Sequence, residues 1–103
     1  MRKNLISVPE FDQLPAPVYF RYAEIDAHSH ACPHRHAWGS LDYVAHGVMR
    51  FEVDGQRFMS PPQYALWIPP NTEHSAYNAQ AIVYRSVYLD ATHCQHLPPR
   101  PVT

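Results

Sequence analysis

Residues 48–60 read VMRFEVDGQRFMS. Met49, Phe51 and Val53 alternate with Arg50 and Glu52, the period of two that belongs to a strand with one buried face. Asp54-Gly55 then separates this run from Gln56-Arg57-Phe58-Met59, and an Asp-Gly pair between two such runs is a strong signal for a tight type I′ hairpin. Residues 48–53 and 56–60 are therefore predicted to pair as antiparallel strands.

The same period extends outward. Leu41, Tyr43 and Ala45 alternate with Asp42 and His46 over 40–46, and YALWIP at 64–69 is bracketed by Pro-Pro pairs that turn the chain sharply. IVYRSVYL at 82–89 is rich in β-branched and aromatic residues and reads as a mostly buried strand, as does VYFRYAEID at 18–26. The 11 prolines partition the chain, and the two long proline-free stretches, 34–60 and 71–97, lack the 3.6-residue recurrence of a helix. The fold class is all-β, with at least six short strands and no helix, built as a small barrel or sandwich. Residues 1–17, with prolines at 9, 15 and 17, read as an extended N-terminal arm; 18–92 form the barrel; 93–103, ending LPPRPVT, read as an irregular tail or the start of a linker.

Composition narrows the function classes. A chain of 103 residues is one domain. With 46% hydrophobic and 17% charged residues it is too apolar to be disordered, and a net charge of −1 implies no basic face for nucleic acid. No apolar run approaches a membrane span and the amino terminus lacks a signal-peptide core, so a cytoplasmic location is expected, with Cys32 and Cys94 reduced.

The eight histidines are unevenly placed. His28, His30, His34 and His36 fall within HSHACPHRH, His46 follows, and His74, His93 and His96 come late. An H-x-H pair on a strand puts both imidazoles on one face, which suits two ligands of one metal ion. Both His28-Ser29-His30 and His34-Arg35-His36 meet that requirement, and His74, after the turn PPNTE, is the candidate third ligand. On spacing alone these are equally well surface or loop histidines.

The stretch HRHAWGSLDYVAHG, the hairpin after it and PPQYALWIPPNTEHSAYN together resemble the two motifs of the cupin superfamily. His34, His36 and Gly47 match the first motif. Pro69 through Asn78 match the second, with His74 at its histidine and Asn71 at its glycine, a replacement that tolerates positive φ. The resemblance implies a cupin-type double-stranded β-helix, or jelly-roll, barrel. Within the superfamily the chain looks most like the N-terminal effector-sensing domain of AraC-type transcriptional regulators. It then implies a small-molecule effector, DNA contact only through a C-terminal helix-turn-helix part absent from this chain, and a possible homodimer, with no membrane partner.

One position departs from the pattern: Gly39 or Ser40 stands where the first motif places an acidic ligand. The metal set is then His34, His36 and His74, compatible with zinc, nickel or iron and leaving a coordination position open. An open position also suits catalysis, so a small mononuclear cupin enzyme, an oxygenase or isomerase, is the alternative reading; a barrel that binds an organic effector without metal, its histidines lining the pocket, is another. The third is a structural metal module. Trp38, Tyr43, Trp67, Tyr84 and Tyr88 are the candidate effector-binding residues. Alternation separates Tyr84, Ser86 and Tyr88 from Val83, Arg85, Val87 and Leu89, and the second set reads as core apart from Arg85; if the first faces inward, three hydroxyls line a polar pocket. Asp42 and Glu73 read as solvated carboxylates, Cys32 as a buried thiol, and no catalytic nucleophile motif is present.

Overall fold

A computed structural model describes residues 4–5 and 14–103. The strands are β1 (Asn4–Leu5), β2 (Val18–Ile25), β3 (Ser29–His34), β4 (Gly39–His46), β5 (Met49–Val53), β6 (Gln56–Ser60), β7 (Leu66–Ile68), β8 (His74–Asn78) and β9 (Ile82–Leu89), followed by a single 3₁₀ turn at Ala91–His93. They form a five-stranded sheet in the order β1-β3-β8-β5-β6 and a four-stranded sheet in the order β2-β9-β4-β7. All strand pairs are antiparallel except β1 with β3. This is the double-sheet jelly roll that the resemblance implies.

The hairpin forms as predicted: Met49 pairs with Ser60 and Val53 with Gln56, and Asp54 and Gly55 both have positive φ, +48° and +79°, as a type I′ turn requires. Met49, Phe51 and Val53 are buried, and Arg50 and Glu52 exposed. Strand β9 spans the predicted residues, but its inward face is Ile82, Tyr84, Ser86 and Tyr88. The set read as core, Val83, Val87 and Leu89, is only half-buried on the outer face beside exposed Arg85. β-propensity on both faces of this strand made alternation ambiguous; the partner strands settle it, since Ala23 and Val44 flank Tyr84 and Arg21 and Asp42 flank Ser86.

The interior is graded. Ile25, Val44, Met49, Phe51, Val53, Leu66, Ile68 and Ile82 make one continuous apolar core. Ser40, Asp42, Ser86 and Tyr88 continue the inner faces of β4 and β9 as a polar end. Asn78, the last residue of the second motif, is fully buried and donates from Nδ2 to the carbonyls of Asp26 and Gln80, both at 2.8 Å, tying the β2–β3 turn to the β8–β9 turn.

The N-terminal arm lies largely outside the described residues; Asn4 and Leu5 pair in parallel with Ser29 and His30 at the sheet edge. The tail is tethered. Val102 bridges Trp67, whose indole Nε1 donates to the Pro98 carbonyl at 2.9 Å, and the Trp67 ring occupies the space where a Cβ on Gly39 would stand. Trp67 pairs with Leu41 across β4 and β7, which places it on the outer face of the sheet. Among the described residues no helix is long and apolar enough to cross a membrane.

Candidate metal centre

A β-bulge decides which histidines enter the barrel. On β3, Ala31 pairs with Ala76 and His34 with His74, so three steps on β3 match two on β8 and one residue is extra. Cys32 and Pro33 occupy the irregularity, and proline has no N–H to give the ladder. Without the extra residue the inward parity set by Ser29 and Ala31 would continue to Pro33 and Arg35. With it, the parity passes to His34 and His36. His30 keeps the outward parity and faces a cleft shared with Tyr77 and Arg50, while His28 is exposed in a turn with φ +59°. The His28 and His30 pair is thus left outside, and Cys32, read as buried, is exposed.

His34, His36 and His74 each present a ligand nitrogen, and these atoms lie within 4.8 Å of one another. Ring centroids are 5.8 Å apart for His34–His36, 4.3 Å for His34–His74 and 5.0 Å for His36–His74. The turn before β8 is fixed by Asn71, which takes φ +60° at the motif's glycine position and donates its N–H to the His36 carbonyl at 2.8 Å. His36 stacks on Trp38 with centroids 4.5 Å apart and planes 4° from parallel.

The hydrogen bonds select the tautomers. His34 Nδ1 lies 2.8 Å from the Cys32 carbonyl, His36 Nδ1 3.0 Å from the Trp38 carbonyl and His74 Nδ1 2.8 Å from the Thr72 carbonyl. A carbonyl only accepts, so each Nδ1 carries the proton and donates, and each neutral ring keeps its Nε2 lone pair free. Three lone pairs that converge are a poor arrangement for one another and a good one for a cation. Backbone carbonyls on the distal nitrogens are also the usual partners of metal-binding imidazoles. The residues present fit a divalent transition metal, with side-chain adjustments sufficient to bring the nitrogens to the ~2.0–2.1 Å of zinc–imidazole bonds.

Burial reinforces neutrality. Desolvation, then the neighbouring His74 and His34, lower His36 from 6.5 to about 4, and desolvation lowers His74 in the same direction. The unfolded chain therefore binds more protons than the folded one between these values. Stability of the metal-free protein should be complete above pH 6.5 and decline as pH falls toward 4. Urea midpoints at pH 7.5, 5.5 and 4.5 in a chelator should fall in that order, and His36→Gln should flatten the trend; a midpoint that rises on acidification contradicts the assignment.

Beneath the imidazoles the cavity is lined by Arg21, Ser40, Asp42, Tyr84 and Tyr88 together with the three histidines and apolar core residues, and it offers about 30 Å³ to a water-sized occupant. One water needs ~10–15 Å³, so this is room for an ion with one or two small ligands, not for a sugar-sized molecule. Of the candidate effector residues, Tyr84 and Tyr88 line this cavity; burial is the first cause that raises both phenols, which stay protonated donors at neutral pH. Trp38 adjoins it through His36. Tyr43, in register with exposed Arg85, and Trp67 lie on the other side of the sheet.

Two site residues escaped the sequence reading. Asp42, read as solvated, is 3% exposed and accepts at Oδ1 from the hydroxyls of Ser40 and of Ser86, the latter at 2.6 Å. Arg21, alternating inward with Tyr19 and Ala23 on β2, donates to the Tyr88 hydroxyl at 3.3 Å and lies 5.6 Å from the Tyr84 ring centroid. The signal for both was their register: Arg21, Ser86 and Asp42 form one cross-strand row. Glu73 is exposed and pairs with Arg35 at 3.5 Å rather than orienting His74.

The family model for the AraC-like ligand binding domain matches residues 16–98. The HTH-type transcriptional regulator NimR of Escherichia coli K12 is 45% identical over 42 residues, covering 41% of this chain; the match spans only 15% of that regulator's length. Among solved structures, an RmlC-like cupin from Shewanella frigidimarina NCIMB 400 superposes with a TM-score of 0.68 at 19% identity, covering 73% of this chain and 68% of that one. The Schizosaccharomyces pombe Cnp3 cupin domain does so with a TM-score of 0.66 at 13% identity, covering 81% and 64%. At such identities the structural likeness is one of fold.

Proposed function

The chain belongs to the AraC-like ligand binding domain family, and from that premise we propose that it is the effector-sensing domain of a transcriptional regulator whose effector site is built on the His34, His36 and His74 centre. DNA contact belongs to a helix-turn-helix part outside these 103 residues, and the domain works in the cytoplasm. The observation that carries the reading is the convergence of three imidazoles whose Nδ1 atoms are all committed to backbone carbonyls. A divalent ion held there supplies a Lewis-acidic, positively charged centre with open positions. The small interior volume favours the ion itself, or the ion with a ligand of a few atoms, as the sensed species.

Sensing then follows by linkage. The three ligands come from the end of β3, the β3–β4 loop and the start of β8. A ligand joining them stabilises the arrangement in which these segments meet, and the population shifts toward it. Thermal unfolding in the presence of zinc, nickel, cobalt or ferrous ions should rise with concentration as mass action requires, by about 10 °C or more once free ion exceeds the dissociation constant a hundredfold. Magnesium and calcium, which prefer oxygen ligands, should do nothing. Transitions unmoved by every transition metal but raised by an organic compound would make the histidines pocket lining and overturn the metal-centred reading.

A further inference from the structure

Asp42 stands where the family's inner acidic ligand does not: two residues beyond Ser40, on the same inward face of β4. It is a carboxylate nearly sealed from solvent, and its two hydrogen bonds, from Ser40 and Ser86, both fall on Oδ1. Among the described residues Oδ2 is given no hydrogen bond, and Asp42 lines the same cavity as the three histidines. The charged and titratable groups facing it are Arg21 from β2, which donates to Tyr88 and lies over the Tyr84 ring, Tyr84 and Tyr88 from β9, and His74 from β8. The cavity therefore brings three imidazoles and one carboxylate to a single space, with both of that carboxylate's hydrogen bonds on Oδ1, a set of acceptors that a cation and its hydrogens would complete.

We propose that Asp42 is the outer-sphere counter-charge of the metal centre, its Oδ2 accepting a hydrogen bond from the hydration shell of the ion held by His34, His36 and His74. Ser40 and Ser86 are positioning residues: by saturating Oδ1 they orient the carboxylate and leave Oδ2 to the cavity. The departure at Ser40 is thereby explained as a relocation of the acidic group from the first shell to the second. A centre of three neutral ligands with its negative charge one shell out keeps an exchangeable position. It also disfavours anions at the ion, because an incoming anion is repelled by Asp42.

This inference rests on the three-imidazole reading, and one experiment separates the two. Cobalt affinity of the folded 103-residue protein is measured by chelator competition, and azide affinity of the cobalt-loaded protein by visible absorption, for wild type, Asp42→Asn, Asp42→Glu and Ser86→Ala. Asn keeps an Oδ1 acceptor for both hydroxyls, so the variant should fold. Removing an outer-shell partner typically costs about 10–100-fold in metal affinity, and that loss is expected for Asp42→Asn. Azide should bind it more tightly, by about three- to tenfold, a change opposite in sign to what general loosening of the site produces. Asp42→Glu, which keeps the charge, should hold azide affinity closer to wild type than Asp42→Asn does, and Ser86→Ala, which releases Oδ1, should lose cobalt affinity by less than Asp42→Asn. Wild type that binds no cobalt overturns the metal centre and this inference with it. Wild type and Asp42→Asn of equal cobalt and azide affinity overturn the role of Asp42 alone, as does a fall in thermal stability with unchanged affinities, which would make Asp42 merely the distant partner of Arg21. If Asp42→Asn fails to fold, a Ser86→Ala variant whose cobalt and azide affinities equal those of wild type likewise overturns it.

Discussion

Replacing His74 with Ala should abolish retention of a divalent metal, while replacing His28 or His30 should leave it unchanged. His74 is the most buried of the three ligands and sits opposite His34 in the β3–β8 ladder, so its loss leaves two imidazoles that come from one side of the site. Binding energies of ~10–16 kcal/mol for four-ligand zinc sites correspond to about 3 kcal/mol per ligand, and removing one costs at least about a hundredfold in affinity. Protein purified without an affinity tag and analysed for metal should carry close to one equivalent as wild type and none as His74→Ala. The gain in thermal stability on adding zinc or nickel should vanish with it. His28 and His30 are the informative controls. They form the same H-x-H spacing, but the bulge at Cys32 and Pro33 leaves them on the outer side. Metal lost from His28→Ala and kept by His74→Ala would reverse the register of β3 and the assignment of both motifs.

That register marks where the sequence stopped being legible. The hairpin at Asp54-Gly55 was plain because turn chemistry and alternation agree there; alternation also located β4, and β-branched and aromatic residues located β2 and β9. Strands β3 and β8 were anticipated only through the histidine spacing and not by any run of strand-forming residues. Ser29–His34 mixes histidine, cysteine and proline, none of which signals strand, and its period is broken by the extra residue. Such a strand is held by its neighbours on the sheet rather than by its own propensity. The three histidines were nevertheless found, since motif spacing survives a bulge that periodicity does not. Asp42 and Arg21 were missed for a different reason. A lone charged residue in an alternating strand reads as the polar, outward member of the pattern, and only the pairing of β2, β9 and β4 shows that both belong to the inward rows.

The two tryptophans should separate cleanly by experiment, because they occupy opposite sides of one sheet. Trp67→Ala should lower stability by about 3–5 kcal/mol, the range for emptying a buried tryptophan site. Its ring fills the space over Gly39, where a Cβ would collide with the indole and come within 2.9 Å of Cys94 Sγ. Its Nε1 anchors Pro98, and its backbone pairs with Val102 in both directions at 2.8 and 3.3 Å. Truncation therefore removes core volume and unfastens the tail. For a domain of this size the expected fall in Tm is about 15 °C or more. Metal affinity should stay within about twofold of wild type, because no part of Trp67 lines the cavity that holds the histidines. Trp38, itself buried, should also lose stability when truncated, but Trp38→Ala differs in its effect on metal. It strips the ring stacked against His36, frees that imidazole to rotate away from its partners and should weaken metal binding about tenfold. Fluorescence gives an independent reading: cobalt or nickel should quench the emission of a Trp67→Phe variant, whose remaining tryptophan adjoins the centre, far more than that of Trp38→Phe. A Trp67→Ala protein with an unchanged Tm and a lost response to metal would place Trp67 at the ligand site and invert the facing of β7.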